Sequence, residues 1–227
     1  MAMELIAPVI VSGIFAGRVG FLPGESRGSA IAKEPLAGRC VIGLGGIAGD
    51  EHADARVHGG DEKAVHLFPQ EHHEALARAF PEARNLVPGG LGDNLSTRGI
   101  TEETAFIGDI FALGTARLQI AQPRTPCWKI DARCGVEGVA AHVAEHGIAG
   151  WYFRVLTPGA CAAGDSLIHL ERPPGAISLA YFHRSLGARR PALEVLERLA
   201  SAPGLATEWM HKIRSRMEWL QQNGDST

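Results

Sequence analysis

The stretch AQPRTPCWKIDARC, residues 121–134, sets Cys127 directly after a proline and between two cations, Arg124 and Lys129, with Trp128 beside it. A thiol among cations tends toward thiolate, the form that attacks electrophiles and binds metals. Pro123 and Pro126 lack a backbone donor and hold φ fixed, so a rigid turn is expected here. The plainer reading of the same residues is a buried cysteine packed on a tryptophan. A second polar group lies upstream. His52 and His58 flank a loop that ends in Gly59-Gly60, and Lys63 follows. Imidazoles and successive backbone N–H groups can hold an anion, although both histidines could equally cap turns. Further on, Asp93 offers a carboxylate. Asn94 offers a carbonyl and an amide, which suit a heterocycle edge or an Asx turn.

Two rival chemistries read poorly. Five histidines (His52, His58, His66, His72, His73) fall within 22 residues, but none of their spacings is that of a helical zinc pair and no C-x-x-C is present. Gly43-x-Gly45-x-x-Ala48 formally fits a dinucleotide fingerprint. That motif must open an apolar helix, whereas here Asp50, Glu51, His52, Asp54 and Arg56 follow. A loop with close backbone approach is expected instead.

The elements that must position these residues are mostly short strands. Strands are expected over 9–20 (with a glycine-marked kink), 38–44, 63–68, 116–122, 151–157 and 165–170, and two more around Gly108-Asp109 within 104–113. Cys127 then sits just past a strand end. Helices are expected over 70–80, with Leu76, Ala79 and Phe80 inward and His72 and His73 facing solvent, and over 136–145. Cys40, Cys134 and Cys161 are expected to fill core, and Arg27 and Lys33 to be solvated or to reach over the pocket. Strands and helices do not alternate, which favours a β-barrel-like domain over residues 1–172 and not a doubly wound sheet. Pro173-Pro174-Gly175 marks a boundary, after which helical patterns over 176–186, 190–200 and 205–221 predict a three-helix domain, 176–227.

Composition narrows the classes further. The chain has 227 residues, 45% hydrophobic and 21% charged, with a net charge of −3, so no basic field points to nucleic acid. The C-terminal segment 176–227 carries seven Lys/Arg against five Asp/Glu. No helix there has the dense basic face of a DNA reader. No run reaches the ~20 apolar residues of a membrane span. Leu5–Ala16 lacks the basic flank of a signal peptide. Four cysteines in this length do not resemble a disulfide scaffold, so a reducing cytoplasm is expected.

Taken together, Gly49-Asp50 with His52, then His58-Gly59-Gly60 before Lys63-Ala64-Val65, then Gly92-Asp93-Asn94-Leu95, then Pro123-Arg124-x-Pro126-Cys127-x-Lys129 resemble the MOSC family. That family is named for the C-terminal domain of molybdenum-cofactor sulfurases. The family usually shows Glu where this chain has Asp93. The resemblance implies a strand-rich β-barrel and a molybdenum cofactor of the molybdopterin type, with Cys127 as metal ligand. It implies cofactor contacts from His52, His58, Gly59, Gly60, Lys63, Asn94, Arg124 and Lys129. The C-terminal helices resemble the three-helix domain of a bacterial subgroup that protects against N-hydroxylated base analogues such as 6-hydroxylaminopurine. The implied reaction is reduction of N–OH to N–H, with Asp93 or a histidine delivering protons. No ferredoxin-type cysteine cluster follows, so a separate electron donor, a flavoprotein, is implied. Pyridoxal phosphate enters only by association with the sulfurases. The alternative is a carrier that binds the cofactor, or holds sulfur on Cys127, without turnover. A homodimer is left open.

Overall fold

A computed structural model of the chain describes residues 6–54 and 59–223; His58 therefore lies outside the described residues. In chain order the elements are strands β1 (Val9–Ala16), β2 (Gly20–Phe21), β3 (Gly28–Ser29), β4 (Glu34–Pro35), β5 (Arg39–Gly43) and β6 (Gly46–Ile47), a 3-10 turn at Asp61–Lys63, β7 (Val65–Pro69) and helix α1 (Gln70–Ala79). There follow β8 (Leu95–Thr97), β9 (Ile110–Leu113), β10 (Ala116–Pro123), α2 (Lys129–Cys134), α3 (Val139–His146), β11 (Trp151–Thr157), β12 (Gly159–Ala162) and β13 (Ser166–Glu171). Helices α4 (Leu179–Gly187), α5 (Leu193–Ala200) and α6 (Thr207–Asn223) end the chain. None of the described helices is long and apolar enough to cross a membrane.

Seven strands close on themselves in the order β13, β9, β10, β11, β7, β8, β1 and back to β13. Closure leaves no unpaired edge among them. Every pairing is antiparallel except β7 with β8, where Leu67 faces Leu95. A parallel pair needs a long crossover, and the one here consists of α1 and the glycine-rich loop before β8. Alternation along the strands sends Val11, Ile14, Val65, Leu67, Phe111, Leu118, Ile120, Trp151 and Phe153 into one core. Phe111 and Trp151 both meet Phe153 edge-on. Full burial of each such side chain is worth roughly 1.5–3 kcal/mol.

The same core continues across Pro173-Pro174-Gly175 into the helices, taking in Phe182, Leu196, Leu199 and Ile213. Gly108 and Gly204 meet back to back there: a Cβ on Gly108 would lie 2.3 Å from the Pro203 carbonyl oxygen, and one on Gly204 2.7 Å from the Gly108 Cα. Arg172 grips Asp109 with two nitrogens and lies 3.6 Å over the Phe106 ring. The helices are thus seated on the barrel wall.

Several expectations need correction. The first strand stops at Ala16, because Gly17 turns to donate to Asp50 Oδ1, at a place where a Cβ would lie 2.4 Å from the Ala32 carbonyl oxygen. Only one strand, β9, forms within 104–113, since the Asp109 carboxylate accepts the Phe106 N–H and folds the preceding residues into a turn. His72 and His73 are buried and Ala79 is exposed. The inward stripe of α1 is His72, His73 and Leu76, because Glu102 and Asp93 wait beneath it as partners. Helix α2 had not been expected at all. It is six residues long and buries only Ile130 and Cys134, too short a run for its period to show. The glycine pair of the rejected fingerprint is the turn of the β5–β6 hairpin, where Gly43 faces Gly46.

Candidate functional site

The site sits where β10 leaves the barrel. The β10–β11 register shifts between Ile120 and Gln122, a bulge that bends the strand. Pro123 then forbids further ladder bonding and the chain turns outward. Arg124 is held by its N–H, which donates to the Gly150 carbonyl. Cys127 follows at the start of α2, where its carbonyl accepts the Ile130 N–H. The four residues Arg124–Cys127 thus place a guanidinium and a sulfur on one open cleft.

That cleft encloses about 520 Å³ including its mouth and is lined by Lys33, His52, Lys63, Asn94, Arg124, Cys127, Lys129 and Tyr152, with Ser29, Gly92 and His66 among its walls. Cys127 is half-buried and unoxidised. Arg124 is 9% exposed, and its Nη1 is buried without a hydrogen-bond partner. An orphaned guanidinium nitrogen in a concave wall is costly unless an anion completes it. Tyr152 bonds to Arg124, and burial, the dominant influence, holds its phenol above its ordinary range; the hydroxyl stays protonated and can donate. Lys129 reaches the Gly28 carbonyl at 3.3 Å, and Arg27 stacks on Trp128 at 4.8 Å. Together they pin the β2–β3 hairpin over the cysteine turn.

A buried hub lies behind this wall. Asp50 accepts from Lys33 Nζ at 2.5 Å, from Asn94 Nδ2 at 2.8 Å and from the Gly17 N–H at 2.8 Å. The Lys33 side chain is only 6% exposed, and burial, partly offset by Asp50, lowers its pKa. His52 is likewise lowered by burial, with Asp50 opposing and Lys33 assisting, so its imidazole is neutral near pH 7. Burial and then the charge of Arg124 push His66 down to about 3. Both of its ring nitrogens lie 3.1 Å from carbonyls, those of Gly92 and Ala149, and the neutral ring can donate to only one of them.

The residues expected from sequence divide clearly. His52, Lys63, Asn94, Arg124, Cys127 and Lys129 line one cleft. Gly59 and Gly60 do not; Gly60 precedes the 3-10 turn and its carbonyl accepts the Lys63 N–H. Asn94 meets the cleft, but its amide is engaged: Oδ1 accepts the His66 N–H, and Nδ2 serves Phe15 O as well as Asp50. It ties β1 to β7 and is not free to read a ligand edge. Asp93 is fully buried and lies outside the cleft lining. Its Oδ2 accepts the Gly89 N–H at 2.8 Å and faces His73 at 3.5 Å. Burial pushes its pKa up, but the His73 bond and charge and the Gly89 N–H outweigh this, and the net shift is downward. A carboxylate held ionised behind the wall is no proton donor to the cleft. Lys33, expected to be solvated or to reach over the pocket, is buried in its wall, whereas Asp50, His66 and Tyr152 are members with no expected place in the site. The Gly49-Asp50 pair within the motif set was the available signal for Asp50. Among the described residues no three His, Cys, Asp or Glu side chains converge to hold a metal ion, so a zinc site finds no ligand set there.

These features define a closed strand-rich barrel that presents one half-exposed cysteine in a cationic cleft. A family model for the MOSC domain matches residues 54–168, and the chain belongs to that family. It is 34% identical over 209 residues to Protein YiiM of Escherichia coli, covering 89% of this chain and 90% of that one. A Gibberella moniliformis protein named Reductase is 34% identical over 200 residues, which are 86% of this chain and 35% of that protein. Among solved structures, YiiM from Geobacillus stearothermophilus superposes with a TM-score of 0.79 at 28% identity, over 92% of this chain and all of that one.

Proposed function

We propose that this chain is a molybdenum-cofactor-dependent reductase that converts N-hydroxylated compounds, base analogues among them, to amines. The orphaned Arg124 Nη1 in a wall shared with Cys127 carries the reading. The residues present fit the cofactor. A soft thiolate suits molybdenum, and Arg124, Lys129 and Lys63 supply cationic donors for the phosphate and pterin. When bound, the cofactor supplies a metal centre that carries the two electrons needed to cleave an N–O bond.

The protein's own part is positioning and proton supply. Cys127, on a turn fixed by Pro123 and Pro126, would hold the metal. Arg124, kept in place by Gly150 and Tyr152, would bind the anionic end of the cofactor through its unpaired Nη1. Protons reach the cleaving oxygen from its walls. Of the two expected donors, Asp93 or a histidine, His52 is the one that lines the cleft; as a general acid it becomes more active as pH falls toward its lowered pKa. Electrons come from a separate flavoprotein. The fungal relative that bears the name Reductase agrees with the reaction class.

The Cys127→Ala variant tests the reading. It should fold normally, lose molybdenum, and lose turnover of 6-hydroxylaminopurine with a chemical or flavoprotein electron donor. Full turnover without the thiol would end the mechanism. A persulfide on Cys127 with no reductase activity in the loaded wild type would instead support a sulfur carrier.

A further inference from the structure

Cys127 stands in the wall between two clefts. The second is lined by Gln122, Thr125, Pro126 and Cys127 from the barrel side and by Glu208, Trp209 and Lys212 from α6. It shares Lys63, Cys127 and Tyr152 with the first. A two-reactant reaction at one sulfur-held centre needs such an arrangement, one pocket for the cofactor and another for the substrate. We propose that this second cleft is the substrate site, that it takes a flat nitrogen heteroaromatic, and that Trp209 is its stacking platform. The assignment rests on the reductase reading above and gives the helical segment a part in the chemistry.

Three observations support it. The Trp209 ring is half-buried and packs edge-on against Phe182 at 5.3 Å, so its orientation is fixed before a ligand arrives. Lys212 Nζ lies 5.2 Å from the ring centroid on a side chain that is 56% exposed. A partly exposed cation beside an indole, tethered to Glu208, marks an electron-rich face that a ligand ring can share. Glu208 bridges Lys63 at 2.8 Å and Lys212 at 2.5 Å, which sets a carboxylate acceptor beside the platform for ring or hydroxylamino N–H groups. An aliphatic hydroxylamine would use none of this, whereas a fused heterocycle would use all of it.

The test is calorimetric titration of 6-hydroxylaminopurine into the full chain, wild type beside Trp209→Leu and Trp209→Phe. Leucine keeps apolar bulk against Phe182 but removes the aromatic face, and binding should weaken roughly tenfold, the worth of one stacked base. Phenylalanine should restore most of it. Molybdenum content should stay as in wild type. Equal affinity in wild type and the leucine variant overturns the assignment, as does loss of molybdenum in that variant. Should the leucine variant unfold, unaltered cofactor-free protein decides: saturating 6-hydroxylaminopurine must slow alkylation of Cys127 by iodoacetamide while Cys40 reacts as before, and undiminished alkylation refutes the site. Trp209-dependent binding without turnover of any hydroxylamine would keep this cleft and sink the reductase reading instead.

Discussion

Arg124 and His66 show how one buried charge sets the character of the site. The guanidinium is 9% exposed with one nitrogen unpaired, and its fork geometry cannot be copied by an ammonium. Arg124→Lys should weaken inorganic phosphate binding about tenfold, the scale of one lost charge-assisted hydrogen bond. Molybdenum content should fall with it; unchanged phosphate affinity by calorimetry would remove Arg124 from the anion site. His66 reports the same field through stability. Its pKa is near 3 in the fold, against about 6.5 in an unfolded chain. Between those values the unfolded state binds the extra proton, so stability is complete above pH 6.5 and falls as pH drops toward 3. From pH 6.5 to 5 this one group should cost about 2 kcal/mol at ~1.36 kcal/mol per pH unit. Urea denaturation at the two pH values should show that loss in wild type and a smaller one in His66→Gln. An identical slope in both would mean the ring is protonated in the fold.

At the scale of elements, the cleft depends on backbone that only glycine permits. Gly150 has φ +70°, and a Cβ there would lie 2.1 Å from the Leu67 carbonyl and 3.1 Å from His66 Nε2. Its own carbonyl holds the Arg124 N–H. Gly150→Ala should cost at least about 2 kcal/mol in urea unfolding, and the displaced loop should lower molybdenum content as well. A stable, fully loaded variant would show that β11 can shift without disturbing the site. This is also the scale at which the sequence was least legible. The long strands and α3 were readable because alternation and an i, i+3, i+4 repeat persist over enough residues. Two-residue strands such as β2, β3 and β6 carry no period. The buried histidines of α1 defeated the polarity pattern, since the carboxylates that satisfy them, Glu102 and Asp93, are 30 and 20 residues away. Arg124, Cys127 and Lys129 could be found because one turn carries all three. Tyr152 could not, because only the closure of the barrel brings it to that turn, and Lys33 could be placed near the pocket but not in its buried wall.

Across the whole molecule, the strand-to-helix change at Pro173-Pro174-Gly175 is a boundary in pattern, while the packing runs through it. Phe182, Leu196, Leu199 and Ile213 belong to the same apolar cluster as Phe111, Trp151 and Phe153. The Ala206 N–H donates to the Ala121 carbonyl on β10, and the Thr207 N–H donates to Glu62 beside the site. Helix α6 is therefore anchored at its start to the strand that delivers Arg124 and Cys127. A segment so held cannot open without exposing the barrel core and loosening the cleft. The expected outcome is one cooperative unfolding transition: far-UV circular dichroism, dominated by the helices, and tryptophan fluorescence, reporting Trp151 in the barrel as well as Trp209, should give coincident curves in urea. Two separated transitions, with the helical signal lost first, would show that the three helices fold apart from the barrel, and the second cleft would then be a surface that forms only when they dock.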